Sequence, residues 1–262
     1  MPSLGARMAR AAFGSSYPAF VEKANDLACE SVEGIVFDTP SPLSQWRGRT
    51  HLTKEPGTID WINAFAPGAV FWDIGANIGV YSLYAARHRR AQVVSFEPSP
   101  FNFGTLSRNI VLNDLSDRIS AFCAALSDKT LIDKLHMSSV GAGAEHTGFQ
   151  RDMNEFGGKL NTVHTQATLG FRLDDFIRIF NVPVPHHIKI DVDGAEALVI
   201  GGATETLKNS ALTSILIELP VEPVGNPPLK VLDIIKGNGF SVVREDHPDG
   251  DKRLTNFILK RA

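Results

Sequence analysis

Two carboxylates and two glycines, spaced as a nucleoside-binding site requires, are the most informative residues of this chain. Asp73 ends an apolar run, and Gly75 and Gly79 follow it at the start of a helical pattern. A second apolar run ends at Glu97. Glycines let a ligand approach the backbone closely, and an acid about 20 residues after the turn can accept hydrogen bonds from ribose hydroxyls. The pattern therefore predicts a strand–turn–helix–strand unit that binds a nucleoside cofactor.

The residues of the turn distinguish between three classes of cofactor. A P-loop requires Lys and then Ser or Thr directly after its glycines, but an apolar and an aromatic residue follow Gly79. A dinucleotide site requires a middle glycine and room for pyrophosphate, whereas this turn has Asn77 and follows an acid that would repel phosphate. S-adenosylmethionine has an ammonium group and no phosphate. The turn favours this cofactor, with its amine bound to Asp73 directly or through water and its ribose bound to Glu97.

Two sequence motifs resemble those of a known family. The segment 73–79 is similar to the first motif of class I methyltransferases. The segment 188–196, with the sequence IKIDVDGAE, and the segment 215–219, ILIEL, resemble the FkbM family of O-methyltransferases, in which Glu is common at the position of Asp193. The resemblance runs from about Lys54 to the C-terminus. It implies a methyltransferase that depends on S-adenosylmethionine.

The order of predicted elements agrees with this resemblance. From Ala69 onward, strand and helix patterns alternate, which is typical of an α/β fold with a parallel sheet covered by helices. The resemblance implies a Rossmann-like class I methyltransferase fold, in which a seven-stranded, mostly parallel sheet ends in a C-terminal antiparallel β-hairpin. We predict that residues 1–66 form an N-terminal extension packed on the core and that residues 67–262 form the methyltransferase domain.

Three segments carry further structural predictions. Residues 133–165 interrupt the alternation with several glycines and polar clusters, so we predict a long loop that acts as a lid over the substrate. Helices are predicted over residues 17–30, in the N-terminal extension, and over residues 195–207, after the second acidic motif.

Seven residues are predicted to bind the cofactor: Asp73, Gly75, Asn77, Gly79, Glu97, Pro98 and Ala125. The segment 124–126 ends the third predicted strand, and we expect it to line an adenine pocket with Phe96. Ser127 and Asp128 are predicted either to accept the adenine amine or to cap a helix. Asn109 and Asn113 are interpreted as surface or capping residues of a helix.

Acidic residues near the ends of two later strands are the predicted catalytic groups. Asp191 falls near the carboxyl end of its strand, where α/β folds place ligands. A hydroxyl acceptor must lose its proton to a general base or by binding to a metal. We predict Asp191, Asp193 and Glu218 as catalytic residues. No metal ligands are assigned, although Mg²⁺ would suit these oxygens together with Glu196. Alternatively, Asp193 makes a turn and Glu196 caps or pairs on the next helix.

Other polar residues are weaker candidates. One histidine near the long loop is a possible general base, among His136, His146 and His164. The pair at 186–187 precedes the strand that ends at Asp191, so we expect it at the opposite end of the sheet. Trp46, Arg47 and Arg49 either line an acceptor pocket or pack on the surface.

Composition restricts the partners. The net charge of -3 and the pI near 6.2 give no sign of a basic nucleic-acid surface. The sequence has no apolar run of membrane-spanning length and no clear signal peptide. Its two cysteines lack metal-ligand spacing. We therefore predict a cytoplasmic enzyme that acts on a small-molecule acceptor without nucleic-acid or membrane partners, and homo-oligomerisation is left open.

The predicted reaction is O-methylation of a hydroxyl on a small metabolite, sugar or natural product. Two alternatives come from other classes of protein. One is an NAD(P)-dependent oxidoreductase, which Asn77 disfavours because it replaces the middle glycine. The other is a non-catalytic nucleoside-binding protein that keeps the pocket without turnover.

Overall fold

The computed structural model describes residues 29–221 and 227–262. The strands are β1 (Cys29–Val32), β2 (Ile35–Asp38), β3 (Val70–Ile74), β4 (Gln92–Phe96), β5 (Ile119–Phe122), β6 (Ala125–Ser127), β7 (Leu131–Met137), β8 (Thr147–Phe149), β9 (His164–Arg172), β10 (His187–Ile190), β11 (Ser214–Pro220), β12 (Phe240–Asp246) and β13 (Leu254–Arg261). The helices are α1 (Pro42–Thr50), α2 (Pro56–Asn63), α3 (Val80–Arg89), α4 (Pro100–Leu112), α5 (Leu173–Phe180), α6 (Glu196–Gly201) and α7 (Pro227–Gly237). Within these residues, no helix combines the length and apolarity needed to cross a bilayer.

A seven-stranded sheet forms the centre of the molecule, in the order β12-β13-β11-β10-β3-β4-β5. Its strands run parallel except for β13, which is antiparallel to both of its neighbours. The predicted mostly parallel sheet and C-terminal hairpin are therefore confirmed. Because the other strands share one direction, β3, β4, β10 and β11 place their carboxyl ends at the same edge.

Apolar side chains cover both faces of this sheet. One face packs against α2 and α3 and includes the buried residues Phe71 and Leu83. The N-terminal extension joins this face through Ile35 and Phe37 of β2, while the indole of Trp61 donates to Ser214 Oγ at 2.9 Å. The predicted helix over residues 17–30 lies outside the described residues, except for its last two positions, which begin β1.

Two asparagines of α4 attach the extension to the domain. Asn109 accepts the backbone N–H of Asp38 at 2.6 Å and donates to the carbonyl of Ile78 at 2.8 Å. Asn113 accepts the N–H of Val36 at 2.9 Å and donates to its carbonyl at 2.7 Å. Both asparagines are buried, so the surface interpretation is wrong, whereas the capping interpretation is confirmed for Asn113, which is the C-cap residue of α4. Asn113 thus supplies β2 with a donor and an acceptor, whereas Asn109 supplies β2 with an acceptor and joins it to Ile78.

The predicted loop over residues 133–165 is wrong as a single irregular segment. Most of β7, all of β8 and the start of β9 lie within it, in a small sheet with the order β6-β9-β7-β8. Gly170 lies at a tight contact in this sheet, because a Cβ there would overlap the ring of Phe149. The strands escape notice in the sequence because β8 is only three residues long and is defined by its pairing with β7.

The predicted helix over residues 195–207 is also too long. Helix α6 ends at Gly201, and a separate 3₁₀ turn follows at Thr206–Lys208. At Gly202 a Cβ would overlap the carbonyl oxygen of Ser127. The helix therefore ends where the backbone must pass close to β6.

Candidate active site

A cavity of about 480 Å³ opens at the carboxyl edge of the central sheet. Its volume falls within the range of small-molecule sites. The turn after β3, the ends of β4, β10 and β11, the segment between β7 and β8, and the chain before β13 all contribute to its walls. The fold therefore brings predicted cofactor residues, such as Gly75, and predicted catalytic residues, such as Glu218, into one cavity.

The turn after β3 is closed by its own hydrogen bonds. The backbone N–H groups of Gly75 and Ala76 donate to the carbonyl of Phe96, at 2.9 and 3.0 Å. Gly75 has φ +85, and a Cβ there would overlap the carbonyl oxygen of Asp191. Only glycine fits this position, because the turn must pass directly against the end of β10.

Asp73 lies beneath the cavity and does not line it. Its Oδ2 accepts from the hydroxyl of Ser82 at 2.5 Å, whereas its Oδ1 is buried without a hydrogen-bond partner among the described residues. Ser82 belongs to the first turn of α3, so this carboxylate occupies the positive end of the helix. Burial raises the pKa of Asp73. Gly79, with φ +89, also lies away from the cavity and begins α3 against Leu106.

Glu97 and Pro98 form part of the cavity wall at the end of β4. The Glu97 carboxylate accepts the backbone N–H groups of Asn77 and Ser99, each at 2.8 Å. Burial raises the pKa of Glu97 to about 7, although these two amides favour the charged form. Each carboxylate oxygen retains a lone pair, so Glu97 can accept ligand hydroxyls as well.

The part of the cavity next to Glu97 is apolar. Phe96 and the segment 124–126 line it, together with Leu135 and Phe149. Ser127 is fully buried in β6, donates to Gln150 and does not reach the cavity. Neither interpretation of Ser127 is therefore supported, whereas the predicted position of Ala125 in the wall agrees with the structure.

A buried cation, Lys189, pairs with Asp191 of the cavity wall and does not line the cavity itself. Lys189 Nζ lies 2.6 Å from Asp191 Oδ2, and Lys189 is 1% exposed. Burial opposes its charge, but Asp191, Glu55 and Asp73 outweigh burial and raise the pKa of Lys189. Burial also opposes the negative charge of Asp191. The attraction of Lys189 is stronger than this effect and holds the pKa of Asp191 below its usual range.

Glu218 also lines the cavity and differs from Asp191 in having no close partner. Within the described residues, no hydrogen bond or ion pair occupies its carboxyl group. Burial raises the pKa of Glu218 well above its usual value, and Asp191 and Glu55 raise it further. Glu55 was not predicted as a site residue. It comes from the N-terminal extension and accepts from Thr58 Oγ1 at 2.9 Å.

Two groups of side chains within the described residues come close enough to hold a metal ion. They are Glu55–Asp191–Glu218 and His146–Glu155–Asp193, with ligand atoms within 4.8 Å of one another. In each group a protein cation already faces the carboxylates: Lys189 in the first, His146 in the second. The hydrogen bond to Glu155 raises the pKa of His146 to about 9.

The second acidic motif forms a turn whose members have different roles. Asp193 has φ +53 and lines the cavity, and its Oδ2 accepts the N–H of Thr147 at 3.0 Å. Burial raises the pKa of Asp193 to about 6. Glu196 does not line the cavity and accepts the N–H groups of Val192 and Gly194, at 3.2 and 3.0 Å. Glu196 therefore stabilises the turn before α6, and the geometry favours the alternative in which Asp193 makes this turn.

The remaining candidate residues fall into two groups, those that line the cavity and those that lie away from it. Of the loop histidines only His146 lines the cavity, and His187 lies at the opposite end of the sheet, stacked on Phe65 at 3.8 Å. Arg47 lines the cavity, whereas Arg49 pairs with Glu30 on the surface. Asn102 and Lys54 also line the cavity and were not predicted as site residues. A buried asparagine on an amphipathic helix is the only signal that pointed to Asn102.

A cavity at the carboxyl edge of a mostly parallel sheet is the arrangement found in Rossmann-like α/β proteins. A family model described as the methyltransferase FkbM domain matches residues 73–242, more than half of the chain. The protein belongs to the FkbM methyltransferase family.

Individual relatives agree with the family assignment. Methyltransferase sdnD of Sordaria araneosa is 29% identical over 66% of this chain and 74% of its own length. The 31-O-demethyl-FK506 methyltransferase FkbM of Streptomyces tacrolimicus is 28% identical over 70% of this chain and 76% of its own length. The hexuronic acid methyltransferase AglP of Haloferax volcanii is 27% identical over 59% of this chain and 58% of its own length.

Proposed function

We propose that this protein transfers the methyl group of S-adenosylmethionine to a hydroxyl group of a small acceptor, a sugar or a natural product. The names of two relatives support an oxygen acceptor, since one acts on a 31-O-demethyl compound and the other on a hexuronic acid. The acceptor is a proposal for this chain. The predicted cytoplasmic location and the absence of nucleic-acid and membrane partners stay predictions.

One observation carries the choice of cofactor: the N–H groups that would hold a pyrophosphate are already bound. Phe96 accepts the amides of Gly75 and Ala76, and Glu97 accepts the amide of Asn77. The carboxylate of Asp73 lies near the start of α3, where the Ser82 hydroxyl donates to it. A dinucleotide needs this helix end and these amides for its phosphates. Glu97 remains available for ribose hydroxyls beside an apolar wall that suits adenine. The residues fit S-adenosylmethionine and argue against an NAD(P)-dependent oxidoreductase.

The bound cofactor supplies a methyl group made electrophilic by a sulfonium centre. The protein must orient the acceptor and take its proton. Glu218 is best placed to accept this proton, because Lys189 already holds Asp191 and the Thr147 amide holds one oxygen of Asp193. Asp191 and the free oxygen of Asp193 then accept hydrogen bonds that position the acceptor.

Calorimetry with S-adenosylhomocysteine and NAD⁺, followed by a transfer assay, tests the proposal. We expect S-adenosylhomocysteine to bind and NAD⁺ not to bind. Labelled methyl groups should then pass from S-adenosylmethionine to members of a panel of sugars, hexuronic acids and hydroxylated macrolides, equally with Mg²⁺ and with a chelator. Binding of NAD⁺ alone would overturn the cofactor assignment. Tight S-adenosylhomocysteine binding with labelling only of amines would overturn the hydroxyl acceptor.

A further inference from the structure

The segment 141–146, here named the strap, connects β7 to β8 and forms one wall of the cavity. Ala144, Glu145 and His146 of the strap all line the cavity. Gly143 brings the strap against α1, where a Cβ would lie 2.9 Å from the backbone nitrogen of Ser44. The strap is therefore placed between the cofactor turn and the N-terminal extension.

Polar groups of α1 hold the strap on the acceptor side. The guanidinium of Arg47 donates to the carbonyl of Gly143 at 2.9 Å and pairs with Glu145. The hydroxyl of Ser41 donates to the carbonyl of Ala142 at 2.6 Å. Arg47 also lines the cavity. These contacts therefore fix the position of its guanidinium group relative to a bound acceptor.

Two asparagines hold the strap on the cofactor side. The side-chain amides of Asn77 and Asn102 both donate to the carbonyl of Ala144, each at 3.0 Å. Asn102 also accepts the N–H of Gly143, at 2.8 Å, so its single side chain binds two consecutive residues of the strap. Asn102 is 2% exposed and lines the cavity beside Glu97.

Asn102 therefore touches both the strap and the cofactor side of the cavity. It is one of the groups that favour the charged form of Glu97, whose carboxylate also accepts the N–H of Asn77. A ligand that binds Glu97 therefore acts directly on Asn77, and it acts on Asn102 through the Ala144 carbonyl that both side chains share. A ligand can shift the strap between a less ordered and an ordered state only if its contacts differ between those two states. The hydrogen bonds that join Glu97 to the strap provide a route for such a difference.

We propose that Asn102 is a positioning residue that couples cofactor binding at Glu97 to the ordering of the strap, so that the acceptor wall is complete only after the cofactor binds. The proposal rests on the proposed cofactor. It predicts ordered binding, with the cofactor first and the hydroxyl acceptor second. Arg47 and His146 are the acceptor-side groups that this order positions.

Hydrogen–deuterium exchange of residues 138–147, with and without S-adenosylhomocysteine, tests this coupling without an acceptor. In the wild-type chain we expect the ligand to slow exchange of the strap by at least about fivefold, the lower limit of typical coupling. In Asn102→Ala the ligand should still bind by calorimetry, but the strap should lose this protection. Asn102→Asp keeps the acceptor for Gly143 and loses the donor to Ala144, so it should show partial protection.

Asn113→Ala is the matched control, because Asn113 is a buried asparagine of the same helix whose hydrogen bonds go to Val36 and Asn109. It should destabilise the fold comparably and leave the protection of the strap intact. Ligand binding without protection in the wild type, or full protection in both Asn102 variants, overturns the coupling alone. No ligand binding in the wild type overturns the proposed cofactor as well.

Discussion

Lys189 and Asp191 form an ion pair at the end of β10, with Lys189 Nζ 2.6 Å from Asp191 Oδ2. Alternate residues of a strand share one face, so both side chains point toward α2 and α3. In the sheet Lys189 lies directly opposite Asp73 on β3. One ammonium group therefore connects the acid beneath the cofactor turn with an acid in the cavity wall.

Lys189→Met should destabilise the protein by about 3–5 kcal/mol, because it leaves buried carboxylates without their cation. Urea denaturation followed by circular dichroism measures this change. Lys208→Met is the control, since Lys208 pairs with Glu205 on the surface and should cost about 0–1 kcal/mol. Adding Asp191→Asn to Lys189→Met should restore part of the loss. Equal costs for the two lysine variants would contradict the role given to Lys189.

Gly75→Ala should lower the free energy of unfolding by more than the strain of placing alanine at a left-handed backbone position. Gly68 has a similar φ, +77, and open space around its Cβ position, so Gly68→Ala should show only the conformational cost of about 1–2 kcal/mol. At Gly75 the added methyl meets Asp191, which should add about 1–3 kcal/mol and weaken S-adenosylhomocysteine binding. Denaturation and calorimetry on both variants measure the difference. Similar stability of the two variants would contradict the prediction, because it would show that the backbone at Asp191 can move away from the added methyl group at little cost.

Glu97→Gln should weaken S-adenosylhomocysteine binding by roughly 10–100-fold, as expected for loss of hydrogen bonds to a charged group. Asp73→Asn should weaken it by less than about fivefold, because Asp73 lies below the cavity wall. Affinity in the wild type should also rise with pH through about 7, where Glu97 ionises. Calorimetry at several pH values measures both effects. If Asp73→Asn proved the more damaging change, the amine of the ligand would reach Asp73 after all.

Glu218 should set the acid limb of the pH–rate profile. Its pKa is raised well above the usual value, chiefly by burial, and only the deprotonated carboxylate can accept a proton. The rate should therefore increase as pH rises through this pKa. Glu218→Gln should lower kcat by about 10²–10⁴-fold and remove the limb, with S-adenosylhomocysteine affinity unchanged. Asp251→Asn, at an exposed pair on the cavity rim, is the control. An unchanged limb would assign the proton elsewhere.

His146 should contribute stability that disappears at alkaline pH. Its folded pKa, about 9 through the hydrogen bond to Glu155, exceeds the ordinary value of 6.5. The contribution is therefore complete below pH 6.5 and lost as pH rises to about 9. Since the imidazole is 47% exposed, we expect a difference between wild type and His146→Gln below about 1 kcal/mol. Denaturation at pH 6 and pH 9.5 measures it, and Glu155→Gln should behave in the same way. A larger difference at pH 9.5 would contradict the pairing.

The cofactor side of the molecule was predictable because its signals are local. Glycines, an acid at each strand end and the alternation of elements all appear within segments of the sequence, and they place Gly75, Glu97 and Ala125 correctly in the wall. Asp73 shows where local signals stop. The sequence identifies an acid before the turn, but only the packing shows that this carboxylate is buried against the Ser82 hydroxyl of α3 and does not line the cavity.

The acceptor side was largely hidden because distant segments build it. Glu55 and Arg47 come from the extension, and they meet Asp191 and Gly143, each more than 90 residues away along the chain. Asn102 resembles an ordinary polar helix residue until its two partners in the strap are known. The small sheet forms through pairings between short strands, for which a single sequence carries little signal.

The small sheet has a consequence for how specificity can change. Strands β6 and β9 run parallel as neighbours, with Ser127 opposite Arg172, so the intervening chain leaves and returns at adjacent points. That chain supplies the strap and much of the acceptor wall, whereas the cofactor turn belongs to the central sheet. Residues 128–171 therefore form one continuous insert between neighbouring strand ends, but Leu135 and Phe149 of this insert line the apolar wall beside Glu97. A graft intended to change acceptor choice and keep the methyl donor should therefore exchange the strap and retain these two residues.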